Sequence, residues 1–287
     1  MWRIWLAALF WGLNFPSVKI LLGGFSPWTL RAVGLSLGAA VLATLTKASG
    51  QSLAIPPKHW RPLAIAGLLG LATFNICAAF AQLTMPASRA AILIYTMPLW
   101  SVFFGWLFLG EQIDRLRTVA LALGTAGIGT LSVPFWAALQ AGQPPYGLVF
   151  VMGAAISWAL GTVYLKKSQV EGSLMAITTW QVVAGAAAAT AGMLLFETPR
   201  IDLSPVITAT LAYHVIFPQA VAYVLWFSLI SRVATSTAAL GTLLVPIFGV
   251  IGSVIILGER PTILDLGGFA LILLAVVLDQ GYRGLKR

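Results

Sequence analysis

Pro98–Glu111, PLWSVFFGWLFLGE, recurs 148 positions later as Pro246–Glu259, PIFGVIGSVIILGE. Both stretches begin on proline, run through apolar residues and close on Leu-Gly-Glu. At the same offset Ser88, Ala90 and Ala91 pair with Ser236, Ala238 and Ala239, and a second match pairs Ala8–Trp11 with Ala155–Trp158. The chain is therefore expected to be one unit written twice, with 1–140 as one half and 141–287 as the other, in a single domain of two pseudo-equivalent repeats. Long apolar repeats of this kind mark folds in which a site lies between two copies of a helical unit.

Composition decides the solvent. With 59% hydrophobic and 9% charged residues and a mean hydropathy of +0.93, the 287-residue chain has too few polar groups to coat a soluble globule. The apolar runs are continuous and do not alternate, which excludes a barrel strand pattern and points to helices of about 20 residues that cross a bilayer. The lone Cys77 leaves no intrachain disulfide to consider.

Cutting at charges, proline and glycine yields ten predicted spans: 2–22, 27–46, 62–83, 89–109, 118–136, 146–165, 174–196, 206–230, 236–257 and 263–282. Each half holds five. An odd number forces the second half to enter the membrane in the opposite sense, so the fold class expected is an all-α integral membrane protein of ten transmembrane helices, arranged as two inverted five-helix repeats around a central cavity. The first apolar segment has a partner in the second half and is expected to belong to the mature fold, not to a cleaved leader.

Basic residues set the orientation. With both termini in the cytoplasm, Arg3, Lys47, Lys58, Arg61, Arg115, Arg117, Lys166, Lys167, Arg232, Arg283, Lys286 and Arg287 fall inside, against Arg89, Arg200 and Arg260 outside. This bias accounts for the net charge of +9 without nucleic acid, since the cations are scattered over short loops. Lys19 and Arg31 flank the outer turn at 23–27; both are expected to snorkel to the interface, with attraction of a substrate carboxylate as the alternative.

The Leu-Gly-Glu ending after a proline-containing span and the tryptophan in the first span of each half resemble the EamA-type repeat of the drug/metabolite transporter superfamily. The resemblance covers essentially the whole chain. Within the superfamily, the length and aromatic-rich spans look most like the YddG-type amino-acid exporters. The resemblance implies a basket of ten helices whose cavity is walled by spans one to four and six to nine, with spans five and ten outside it. It also implies a multi-pass protein of the bacterial inner membrane that moves a small molecule, either an apolar or aromatic amino acid or another small hydrophobic metabolite or drug.

Polar side chains inside spans single themselves out, because lipid penalises them unless they face a cavity or a partner helix. Asn14, Asn75, Gln181, His214 and Gln219 form that group. The substrate-binding residues expected are Trp11 and Asn14 on span one, Asn75 on span three, Tyr95 on span four, Trp158 on span six, and His214, Gln219 and Tyr223 on span eight, where Gln219, Tyr223 and Trp226 make one stripe. Asn14 as packing glue, Trp158 as core and His214 as a bonded packing residue are the bland alternatives. Pro98 and Pro246 occupy equivalent points and are expected hinges.

No carboxylate lies deep in a span, so facilitated diffusion is expected over a proton relay, and His214 is the one titratable group placed to contest that. Glu111 and Glu259 are expected at helix ends, pairing with Arg115 or Arg260. No catalytic residue, metal ligand set or cofactor motif is present, and the sequence offers neither a protease constellation nor a channel filter. The sparse amides and hydroxyls on apolar walls suit a neutral or zwitterionic solute, and the lack of a Lys/Arg cluster argues against phosphate esters.

Overall fold

The repeated Leu-Gly-Glu ending is a helix stop. In a computed structural model that describes residues 2–223, 225 and 243–285, Gly110 and Gly258 both take left-handed backbone with φ of 68°. Without a Cβ they reverse the chain at little cost, so that the Glu111 N–H returns to the Gly105 carbonyl at 3.2 Å and the Glu259 N–H to the Ser253 carbonyl at 3.3 Å. Helix starts are equally legible: Asp114 accepts from the Leu116 and Arg117 N–H groups, Ser173 from Ala176 and Ser204 from Ile207.

Between these signals run α1 (Trp2–Gly24), α2 (Pro27–Ala48), α3 (Trp60–Gly67), α4 (Phe74–Thr84), α5 (Ala87–Ile94), α6 (Met97–Leu109), α7 (Arg115–Gln140), α8 (Tyr146–Ser168), α9 (Leu174–Phe196), α10 (Pro205–Ile216), α11 (Leu244–Leu257) and α12 (Ile263–Leu285). A π-helical segment, Leu68–Thr73, joins α3 to α4 into one continuous rod, and a second, Phe217–Val221, extends α10. Among the described residues seven helices are long and apolar enough to cross a membrane, and α11 is a shorter apolar one. Apart from connecting turns and one isolated bridge between Phe25 and Ile201, the described residues are helical, as a membrane-spanning chain requires. The expected stripe residue Trp226, and the start of predicted span nine with Ser236, Ala238 and Ala239, lie outside the described residues.

The packing pairs elements across the two halves. α2 lies along α9, α7 along α12, α1 along α11, α4 along α8, α6 along α8 and α1 along α10. Exchanging the predicted spans of one half for those of the other turns α1 with α11 into α8 with α6, and α4 with α8 into α10 with α1. Arg89 and Asp265 fasten α5 to α12 through a buried ion pair of 2.6 Å, with Asp265 also accepting from Thr262.

Four ionic expectations change. Glu259 does not pair with Arg260: its carboxylate accepts from the Ala87 N–H at 2.7 Å, the Ser88 N–H at 2.9 Å and the Ser88 hydroxyl, capping α5 from the end of α11. Glu111 accepts from Lys166 at 2.6 Å and lies 3.9 Å from Arg117. Lys19 has partners that the sequence did not show: its ammonium donates to the Gln82 and Met85 carbonyls, where α4 ends and orphan acceptors collect. Arg31 is buried, with only 3% of its surface exposed.

Candidate functional site

A cavity of about 480 Å³ is lined by residues from both halves of the sequence, on α1, α2, the first π segment, α4, α5, α6, α8, α9, the second π segment with Tyr223 beyond it, and α11. Trp11, Asn14, Asn75, Tyr95, Trp158, Gln219 and Tyr223 all line it, as does Pro98. Among the described residues no charged side chain does. Phe15, Phe74, Thr162, Thr178 and Gln181 complete the aromatic and hydrogen-bonding part of the wall.

The aromatic groups come in pairs, one across each half-to-half contact. Trp11 meets Tyr223 edge to face, with centroids 5.6 Å apart, and Trp158 meets Phe74 at 4.8 Å. Rings held this way keep fixed faces toward the space between them.

Both π segments contribute wall. A π turn carries one extra residue and displaces backbone carbonyls from their usual partners, and such turns are frequent at functional sites. Here each freed region is met by a cavity side chain: Asn75 Nδ2 donates to the Leu71 carbonyl at 2.9 Å, and Trp11 Nε1 to the Pro218 carbonyl at 3.1 Å. Gly70, Leu71, Pro218 and Gln219 thereby face the cavity. Pro218 hints at the second segment in the sequence; nothing comparable marks the first, because Gly67 and Gly70 are equally compatible with an unbroken helix.

His214 departs from expectation. It does not line the cavity but sits one layer behind it, 1% exposed, with Nδ1 2.6 Å from Asn14 Oδ1. The π segment that follows it rotates Gln219 and Tyr223 inward and leaves His214 against α1 and α2, so straight-helix geometry could not place all three on one face. Asn14 is thus both a wall residue and a link to His214.

The two hinge candidates stand at helix starts. Pro98 is the second residue of α6, following a break at Tyr95 and Thr96, and has no N–H to return to the Ile94 carbonyl. Pro246 is the third residue of α11 and is buried, while its neighbour Val245 reaches the cavity. At these positions proline begins a helix segment and does not interrupt one; the chain before Leu243 lies outside the described residues.

The profile of the EamA-like transporter family matches the chain twice, over residues 2–133 and 145–278. A Bacillus subtilis protein named "Uncharacterized transporter YvbV" is 25% identical over 272 residues, covering 94% of this chain and 88% of that one. A Salmonella typhimurium protein named "Probable amino-acid metabolite efflux pump" is 25% identical over 300 residues, covering 97% and 94%. A Streptantibioticus cattleyicolor protein named "Probable terminal-alkyne amino-acid exporter" is 24% identical over 287 residues, covering 97% and 92%. A crystal structure superposes with a TM-score of 0.68 at 21% identity, covering 99% of this chain and 98% of that chain, which establishes a shared fold.

Proposed function

Because the chain belongs to the EamA-like transporter family, we propose that it is a secondary transporter that exports apolar and aromatic amino acids across the bacterial inner membrane by alternating access. The observation that carries this reading is the wall of the cavity: six aromatic side chains, four amides and several hydroxyls around about 480 Å³, with no charged side chain among the described residues. That volume lies within the roughly 300–1,000 Å³ of small-molecule sites. Apolar walls match an apolar side chain, while Asn75, Gln181 and Gln219 offer both donors and acceptors to a zwitterionic head.

The frame for alternating access is two inverted five-helix halves with both termini in the cytoplasm. The double family match and the exchange-symmetric packing support that arrangement, and the distribution of Lys and Arg supports the orientation. Two relatives bear names of amino-acid exporters, which favours this class of cargo over unrelated drugs. The break before Pro98 and the π segment at Pro218 are the points about which one half would rock.

Purified protein in liposomes loaded with labelled Phe, Met or Thr tests the reading. Release of Phe and Met above that of empty liposomes is expected. Release of none of the three, with release of apolar dyes retained, replaces amino acids by other hydrophobic solutes as the cargo.

A further inference from the structure

The buried cation on α2 has no counter-ion among the described residues. Arg31 retains 3% exposure, its Nε is sealed from solvent without an acceptor, and no carboxylate among the described residues forms an ion pair with it. A buried guanidinium left in this state is costly, since the desolvation of its charge is not offset. A protein retains such a group where something intermittently completes it.

Its surroundings lead to the cavity. Arg31, Gly34 and Gly38 share one face of α2, and the two glycines allow α10 and its π extension to approach closely: a Cβ on Gly34 would stand 3.0 Å from His214 Nε2, and one on Gly38 3.0 Å from Gln219 Oε1. His214 stands against the α2 face that carries Arg31 and is bonded through Nδ1 to Asn14. Asn14 and Gln219 both line the cavity. One polar seam between α1, α2 and α10 therefore runs from the cavity wall through His214 to Arg31.

We propose that Arg31 is the carboxylate-binding group of an outer subsite on this seam, taken up by the substrate's carboxylate as it leaves the cavity. The proposal rests on the export reading above. The cavity itself holds no charge to grip a carboxylate, while Arg31 offers a planar fork of donors suited to two carboxylate oxygens. His214 and Asn14 supply hydrogen-bonding steps between the two positions. In this structure the Arg31 Nε is left without an acceptor.

Three probes separate the alternatives: L-phenylalanine, L-phenylalanine amide, which lacks the carboxylate, and 3-phenylpropanoate, which lacks the amine. Binding to the full-length protein in detergent is measured calorimetrically for the native chain, Arg31→Gln and Arg31→Lys. Arg31→Gln is expected to weaken both carboxylates by about tenfold or more, the scale of a lost charged hydrogen bond, and to leave the amide within about twofold of native. Arg31→Lys is expected to restore part of the preference. The melting temperature of empty Arg31→Gln is expected to equal or exceed that of the native protein, because an uncompensated charge has been removed.

An equal loss for all three probes, or an unchanged preference for the carboxylates, overturns the subsite; so does a lowered melting temperature with preference intact, which makes Arg31 a packing residue. Arg31-dependent binding of 3-phenylpropanoate without any binding of L-phenylalanine retains the subsite and removes the amino-acid reading.

Discussion

Trp11 donates its indole N–H to the carbonyl of Pro218, 3.1 Å away and 207 residues further along the chain. This bond joins the first helix of one half to the π segment of the other and turns the indole edge toward Tyr223. Trp11→Phe keeps a ring but removes the donor. It is expected to lower stability by about 0.6 to 2 kcal/mol, the range of a helix-to-helix hydrogen bond in a membrane and an unmet acceptor, and to raise the KM for Phe export. Thermal unfolding in detergent and liposome flux check the two effects.

Trp158 stands on the opposite wall against Phe74. Truncation to Ala removes a stacking face whose other side borders empty space, so the loss of stability should fall below the ~3–5 kcal/mol of a fully packed Trp→Ala. An aromatic pair contributes about 0.5–1.5 kcal/mol beyond area burial, which at 1.4 kcal/mol per decade corresponds to a KM for Phe raised up to about tenfold. Thr flux should change little. Unchanged Phe flux removes Trp158 from the site.

Glu259 ties the end of α11 to the start of α5 through three hydrogen bonds. Glu259→Gln retains an acceptor but gives up the charge at a helix N-terminus, with an expected cost of about 1 kcal/mol. Glu259→Ala should cost more. Melting temperatures of the two variants, in that order below the native protein, are the check; equal values for all three would deny the cap.

Gly161 faces Gly70 so closely that a Cβ on Gly161 would lie 2.6 Å from the Gly70 Cα and N atoms. Backbone cannot yield as a flexible side chain can. Gly161→Ala is expected to destabilise by about 1–3 kcal/mol, the scale of overpacking, and to reduce flux, because this contact fixes the distance between α8 and the first π segment. Native-like melting and transport would show that the two elements separate freely.

Much of this arrangement is legible in the amino-acid sequence, for a physical reason. Lipid tolerates few polar groups, so Asn14, Asn75, Gln181 and Gln219 stand out against their spans, and all four reach the cavity. Gly110 and Gly258 are visible as stops because left-handed backbone selects glycine. What the sequence hides is whatever depends on helix phase or on distant partners. The two π segments shift the register of the residues after them, which a count of 3.6 residues per turn does not foresee. His214 precedes the second segment and lies behind Asn14 because α1 meets it there. Lys19 finds the α4 carbonyls and Glu259 finds the α5 N-terminus through tertiary approach alone. The burial of Arg31 likewise depends on two glycines that admit α10.

Thr162 lines the cavity and is exposed, so it supports the most direct measurement of whether the cavity is where the solute travels. Thr162→Cys, made with Cys77→Ser so that a single thiol remains, is reconstituted and reacted with a bulky thiol reagent while Phe efflux is followed. Modification is expected to abolish efflux, and saturating Phe to slow the modification. Full efflux from completely modified protein, or modification indifferent to Phe, contradicts a transport route through the chamber between the two halves.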